Sequence, residues 1–77
     1  MPKYIPTQDD LDKISNVFTY HAPKDDQPAR YVEIRDKAKE LAFLLVQYCP
    51  RSCELSLALT KLEEATMWAN SSIARNE

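Results

Sequence analysis

The sequence has 77 residues, with 10 lysines and arginines, 12 aspartates and glutamates, and a formal net charge of −2. A chain this short forms one domain at most and has a thin hydrophobic core, and the small acidic excess argues against a general DNA or RNA binder. Glycine is absent, which excludes P-loops and dinucleotide-fold fingerprints, because both need glycine where the backbone approaches a phosphate.

The first two helices are predicted from a capping pattern and from proline placement. A short helix is expected over 7–19, where Thr7 is followed three residues later by Asp10 as in a capping box. A loop rich in proline and aspartate follows. A second helix is expected over 28–49, because Pro28 suits the first position of a helix.

The third helix is predicted over 52–76. Pro50 ends the second helix because proline cannot continue the backbone hydrogen bonds, and Ser52 is a favourable N-cap residue for the third. The short connection makes the two long helices antiparallel. We therefore expect an all-α fold with a single domain over 1–77, in which a short N-terminal helix precedes an antiparallel helical hairpin.

The facing sides of the hairpin follow from apolar residues that recur at intervals of three and four. Residues 41–46 are apolar on every side of the second helix, and such a helix is normally buried all round. Because one partner helix covers only one side, we expect a helical homo-oligomer; the alternative is a monomeric three-helix bundle with an apolar surface. The predicted facing residues are Tyr31, Ile34, Ala38, Leu41, Leu45 and Tyr48 on the second helix, and Leu55, Leu59, Leu62, Thr66, Ala69 and Ile73 on the third.

Neither a metal site nor a membrane segment is expected. His21 is the only histidine, and a zinc site would need two ligands beyond Cys49 and Cys53. The C-x-x-x-C spacing is not that of a redox or zinc motif, so both cysteines are interpreted as packing residues in a reducing compartment. The longest apolar run is too short to cross a bilayer, and residues 1–6 lack the layout of a signal peptide. A cytoplasmic location is therefore expected.

Aromatic, cationic and amide side chains gather where the end of the third helix lies beside the start of the second. Aromatic rings stack on bases, arginine binds phosphate bidentately, and asparagine reads a base edge as donor and acceptor. Each side chain also has an ordinary structural interpretation: Tyr31 and Trp68 as packing residues, and His21 as a turn residue bonded to backbone. The cluster suits a ligand with bases and phosphates, and its members are Tyr20, His21, Arg30, Tyr31, Arg35, Lys37, Lys39, Asn70 and Arg75.

Five segments carry a family resemblance. In order they are FTYHAP (18–23), DQPARYVEIR (26–35), AKELA (38–42), LALTKLEEA (57–65) and MWANSSIARNE (67–77). Together they resemble a small phage family, the anti-CBASS cyclic-nucleotide sponges, which share a hairpin domain with the phage sponges that counter Thoeris immunity. The resemblance implies that the protein is not an enzyme. It implies binding of cyclic oligonucleotide second messengers, held intact so that the defence effector stays off.

The resemblance also implies an assembly and a location. Members form homohexamers, trimers of dimers, in the cytoplasm of the infected bacterial host. Cyclic dinucleotides such as cyclic GMP-AMP occupy pockets between protomers, and cyclic trinucleotides occupy separate pockets on the threefold axis. No cofactor, DNA, RNA or membrane partner is implied.

The dinucleotide site implied by the resemblance lies around the loop and the second helix. Tyr20 matches the aromatic residue that stacks on a base. Phe18 and His21 are the alternatives if the correspondence with the family is shifted along the chain. Arg35 matches the cation that meets the phosphates, with Lys39 one turn on. The further residues expected to shape this pocket are His21, Pro23 and Arg30.

The trinucleotide site implied by the resemblance lies at the end of the third helix. Arg75 matches the arginine that the family places there, and Asn70 and Asn76 lie nearby. No catalytic residue and no metal ligand is implied.

Three other functional classes compete with a sponge. The first is a small helical oligomeric adaptor that binds a protein partner through a face containing Leu57 and Trp68. The second is a nucleic-acid accessory protein, which the acidic balance disfavours. The third is a phosphodiesterase that destroys the same messenger, which would need a paired histidine motif or a metal cluster.

Overall fold

The computed structural model describes residues 3–77, which form three helices and no strand. Helix α1 spans Gln8–Val17, α2 spans Gln27–Tyr48 and α3 spans Cys53–Asn76. The predicted all-α fold class, with one short and two long helices, is confirmed for this part of the chain. None of these helices combines the length and the apolar character that crossing a bilayer requires.

Local side-chain bonds explain where the helices begin. The hydroxyl of Thr7 accepts the N–H of Asp10 at 3.1 Å, and the carboxylate of Asp10 accepts the N–H of Thr7 at 3.0 Å, so the predicted capping box is present. Pro28 lies in the first turn of α2, where its missing N–H costs no helical bond. Ser52 accepts the N–H of Leu55 at 3.1 Å and caps α3.

The two long helices pack along one seam as an antiparallel hairpin. Leu55 is the most buried apolar residue, at 9% exposure, and the other predicted facing residues of α3 are half-buried, so that seam is confirmed. On α2 the seam follows a different register: Leu41 and Tyr48 are exposed, and Ala42 and Cys49 are half-buried in their place. A strict heptad drifts by about 20° per repeat on a straight helix, so the contacts expected at Leu41 and Tyr48 move one residue along the chain, whereas Leu45 is half-buried as predicted.

The chain forms a flat layer. Its extents are 52 × 36 × 14 Å, and its thickness is close to one helix diameter of about 10–12 Å. The Cα radius of gyration is 17.5 Å, whereas a compact chain of this length has about 11.5 Å. The accessible surface is 6714 Å², against about 4,800 Å² for a typical folded monomer of this mass. One copy therefore leaves roughly 1,900 Å² more surface in water than a compact monomer would.

Apolar side chains that would normally fill a core lie on the outside of this layer. Leu11, Ile14 and Val17 form one stripe along α1 that the hairpin leaves exposed. The apolar run of α2 is exposed on the sides that α3 does not cover. The larger exposed apolar and aromatic residues of the hairpin are Val32, Leu41, Phe43, Leu44, Val46, Tyr48, Leu57, Met67 and Trp68. These surfaces can be buried only against another molecule.

Candidate functional site

Two hydrogen bonds connect the end of α3 to α1, and α1 to the loop that follows it, residues 18–26. The side-chain amide of Asn16 donates to the main-chain oxygen of Arg75 at 3.3 Å. Nε2 of His21 lies 2.8 Å from the main-chain oxygen of Asn16, and because a carbonyl oxygen only accepts, this nitrogen carries the proton. His21 therefore has the backbone-bonded turn position that was one of its two interpretations.

A second group of bonds joins this loop and the start of α2 to Glu77. The guanidinium of Arg30 donates to both carboxylate oxygens of Glu77, with Nη1 to Oε2 at 2.8 Å and Nη2 to Oε1. The side-chain amide of Gln27 donates to the same Oε1 at 3.2 Å, and Nζ of Lys24 donates to the main-chain oxygen of Glu77 at 3.1 Å. We call these four residues, Lys24, Gln27, Arg30 and Glu77, the Glu77 clasp.

The Glu77 clasp changes the titration of its own acid and base. Hydrogen bonds from Arg30, then from Gln27, lower the pKa of Glu77 from 4.5 to about 2, and the Glu77 carboxylate raises the pKa of Arg30 above its ordinary value. Because the pKa of Glu77 is lower in the folded state, its stabilising contribution is complete above about pH 4.5 and is lost as the pH falls toward 2. The ion pair is therefore fully formed at neutral pH.

Beside the clasp, α2 and α3 enclose an open polar groove of about 400 Å³, lined by Tyr31, Arg35, Asn70, Ser71 and Ala74. Arg35 is exposed and has no ion pair or hydrogen bond with another residue of 3–77. The side-chain oxygen of Asn70 is buried and has no protein partner there, and leaving such an atom unpaired costs about 1–3 kcal/mol. The groove thus presents a free cation, a free acceptor and an aromatic ring to an incoming molecule.

The neighbouring groove, nearer the middle of the hairpin, is mostly apolar. It has a volume of about 360 Å³, and Lys39 lies on its rim. The ammonium of Lys39 is 6.0 Å from the centre of the Phe43 ring, a cation–π distance. Lys39 therefore lies beside a different groove from Arg35. The residues that line this apolar groove are Ala38, Lys39, Ala42, Leu59, Leu62, Glu63, Thr66 and Met67.

The remaining predicted site residues are dispersed around the same end of the hairpin. Tyr20 and Pro23 are exposed on the loop, with Tyr20 at 83% exposure. Arg75 is half-buried at the end of α3. The side-chain amide of Asn76 bonds to the main-chain oxygen of Ser72, one turn back, at 2.9 Å. The structure therefore brings Arg35 and Asn70 into one groove and does not bring all nine predicted residues into one pocket.

Three residues of the clasp were not predicted from the sequence: Lys24, Gln27 and Glu77. Gln27 is the most buried polar residue, at 3% exposure, although glutamine is usually exposed. The available signal was charge: an antiparallel hairpin places Glu77, directly after α3, opposite Arg30 near the start of α2. Among residues 3–77, no three His, Cys, Asp or Glu side chains lie close enough together to hold a metal ion.

Comparison with known proteins gives one clear match. A family model described as the Acb2/Tad1 hairpin domain matches residues 10–74, which contain the loop, both grooves, all of α2 and all but the last two residues of α3. No curated protein and no solved structure matches the chain. The resemblance to the anti-CBASS sponges is confirmed by the family match. The chain therefore belongs to the Acb2/Tad1 hairpin-domain family, a phage cyclic-nucleotide sponge family directed against CBASS and Thoeris immunity, whose activity is binding and not catalysis.

Proposed function

We propose that this protein sequesters cyclic oligonucleotide messengers of CBASS defence without cleaving them, in the cytoplasm of the infected bacterium. Its ligands are cyclic dinucleotides such as cyclic GMP-AMP, and cyclic trinucleotides. It acts as a homohexamer, a trimer of dimers, so that several messengers are held per particle and the effector is not activated. Family membership supports the ligand class.

The observation that carries the proposal is the polar groove between α2 and α3. Arg35 offers a guanidinium that no neighbouring carboxylate neutralises, and guanidinium groups bind phosphate bidentately. The buried oxygen of Asn70 accepts a hydrogen bond from a base amino group or a ribose hydroxyl. The groove therefore supplies a partner for each polar part of a cyclic nucleotide.

The shape of this groove supports a site completed by a second copy. Pockets for small molecules commonly bury 70–90% of the ligand, in volumes of about 300–1,000 Å³. The groove of about 400 Å³ is open to solvent on one protomer, so it covers only one side of a macrocycle. A neighbouring copy that packs on the exposed apolar surfaces closes the other side. Assembly and ligand binding then use the same interface.

The residues around the groove support binding rather than hydrolysis. Hydrolysis of a phosphodiester by side chains alone requires a general base within hydrogen-bond reach of the attacking group. The groove is lined by no carboxylate and no histidine, and His21 is bonded to the backbone of Asn16. We therefore assign the groove to capture.

The first test is whether the captured messenger is unchanged. The protein is loaded with cyclic GMP-AMP, washed, and heated to release the ligand, which is then identified by mass spectrometry. We expect the intact cyclic dinucleotide, because capture breaks no bond. Native mass spectrometry of the loaded protein should show a hexamer with about three dinucleotides, the number that three interface pockets allow.

Linear dinucleotides in the heated sample, absent from a ligand sample heated without protein, would contradict capture. A protein that takes up neither cyclic GMP-AMP nor a cyclic tri-adenylate would contradict the proposed ligand class.

Arg75→Ala should lower the affinity for cyclic trinucleotides without lowering the affinity for cyclic dinucleotides. We expect the affinity for a cyclic tri-adenylate to fall about 10- to 150-fold, since a hydrogen bond to a charged group contributes about 1.5–3 kcal/mol, while the affinity for cyclic GMP-AMP stays within twofold. Alanine keeps the main-chain oxygen that accepts the hydrogen bond of Asn16, so the contact between α1 and the end of α3 remains. Titration calorimetry with both ligands provides the measurement.

Arg51→Ala is the matched control, because it removes the same charge at the opposite end of the hairpin and should change neither affinity. Equal losses of both ligands in Arg75→Ala would mean that one pocket serves both.

The adaptor alternative is favoured by one observation, the exposure of Leu57 and Trp68 on α3. Exposed apolar surface marks protein contacts, and the partner proposed above is a second copy of the chain. An adaptor would bind neither cyclic nucleotide, and Trp68→Ala would release a different protein. A sponge retains ligand binding when no other protein is present.

A further inference from the structure

Arg30 was expected to line the ligand pocket, but the structure engages its guanidinium elsewhere. Both terminal nitrogens bond to Glu77, and Asp26 lies 3.1 Å from Nη2 on the other side. A phosphate that approached Arg30 would meet two carboxylates, and like charges at such distances repel. Arg30 is therefore poorly suited to contact the ligand directly.

Arg30 helps to fix one end of the loop that carries Tyr20, because it binds Glu77, which in turn binds Lys24 in that loop. Lys24 is held twice: its main-chain N–H donates to the side-chain oxygen of Gln27 at 3.2 Å, and its ammonium donates to Glu77. The main-chain N–H of Gln27 in turn donates to the main-chain oxygen of Lys24 at 2.9 Å. This closes a tight turn in which Asp25 has a φ of 52°, a left-handed conformation that aspartate tolerates better than most residues.

The other end of the loop is fixed by the contact between His21 and Asn16. Only Ala22 and Pro23 separate the two anchors, and the φ of Pro23 is locked by its ring. Tyr20 directly precedes the first anchor. Its ring is exposed, so no packing holds it, and its place is set by the backbone that the anchors restrain.

We infer that the Glu77 clasp is a positioning device for ligand binding: Glu77, Arg30 and the buried amide of Gln27 hold the loop so that Tyr20 faces the ligand, and Arg30 acts through them without contacting the phosphates. This inference rests on the proposed function. A loop ordered in advance loses less conformational freedom on binding, which increases affinity. Glu77 and Gln27 then become determinants of affinity that touch no ligand atom.

A charge swap between positions 30 and 77 tests the inference. All variants are made with Asp26→Asn, which removes the acidic residue four positions before 30; Asp26 makes no side-chain cap bond that the change would break. We expect Arg30→Glu and Glu77→Arg each to weaken cyclic GMP-AMP binding about tenfold, because each leaves two like charges at the clasp. The double variant restores opposite charges and should recover affinity to within about threefold of Asp26→Asn alone.

A direct phosphate contact by Arg30 predicts the opposite result. The double variant would then bind as weakly as Arg30→Glu, since an acid would occupy the place of the base, and this outcome would overturn the inference. Circular dichroism confirms that each variant remains helical. A variant that unfolds is replaced by Glu77→Gln, which should weaken binding without adding a charge.

Hydrogen exchange of the unliganded protein gives a second, independent result. The main-chain amides of Tyr20, His21, Ala22 and Lys24 should exchange faster in each single variant and return toward their original rates in the double variant. Unchanged exchange in every variant would also overturn the inference. If the parent protein binds no cyclic nucleotide, the proposed function fails, while the exchange rates still report whether the clasp orders the loop.

Discussion

Leu44→Asp is expected to dissociate the assembled protein into smaller species, because it places a charge in the exposed part of the apolar run of α2. Leu44 is 46% exposed in one copy, and full burial of a leucine side chain contributes about 1.5–3 kcal/mol. Burying an unpaired carboxylate adds a further cost. Together these terms should raise the dissociation constant of the assembly at least roughly 100-fold. Size-exclusion chromatography with light scattering, over a range of protein concentrations, measures the change.

Gln47→Asp is the matched control for this experiment. It adds the same charge to the same helix, three residues further on, and removes no apolar side chain. We expect its assembly to resemble that of the original protein. An unchanged mass for Leu44→Asp would show that this part of α2 is not an interface. A monomeric original protein at tens of micromolar would contradict the proposed hexamer itself.

The second large effect is expected for Tyr20→Ala, which should weaken cyclic GMP-AMP binding about 5- to 140-fold. Stacking of one base on an aromatic side chain contributes about 1–3 kcal/mol, and a tenfold change in affinity corresponds to about 1.4 kcal/mol. The hexamer should persist, because the ring packs against nothing in the protomer. Tyr20→Phe keeps the stacking surface and should bind nearly as well as the original protein.

Tyr48→Ala is the control, because Tyr48 has nearly the same exposure, 79% against 83% for Tyr20, and lies at the opposite end of the hairpin. It should leave the affinity unchanged. Phe18→Ala and His21→Ala test the two alternative matches for the stacking residue. Loss of binding in one of them, with Tyr20→Ala unaffected, would move the stacking role to that residue. Loss of the hexamer in Tyr20→Ala would make Tyr20 structural.

The parts of the fold that the sequence predicts are those that depend on neighbouring residues. The cap of Thr7 with Asp10 spans three residues, and the facing side of α3 repeats along one helix. The predicted seam of α2 was wrong at Leu41 and Tyr48 but correct at Leu45, because a heptad rule assumes a supercoil that this short hairpin does not need. The flat shape was not predicted, since the angle of α1 to the hairpin depends on contacts some 59 residues apart in sequence, such as that between Asn16 and Arg75.

The candidate site, like the fold, could be predicted from the sequence only in part. Antiparallel helices of known length place Arg35 near Asn70, and the structure puts both in one groove. The sequence could not show which arginine is free and which is paired. Arg30 and Arg35 lie on the same helix, but only side-chain geometry shows that Glu77 reaches Arg30 and leaves Arg35 available.

The thinness of the layer has a consequence for the number of copies the cell must contain. In the described chain only Leu55 and Gln27 are buried, so a single copy has almost no core to offset the entropy of folding. In the proposed hexamer the missing stability comes from association, and the folded fraction is then expected to rise with protein concentration by mass action. Early in synthesis the scarce copies are poorly protected from unfolding and from proteases. The trapping capacity of the proposed sponge is therefore expected to grow more steeply than copy number until the assembled form predominates.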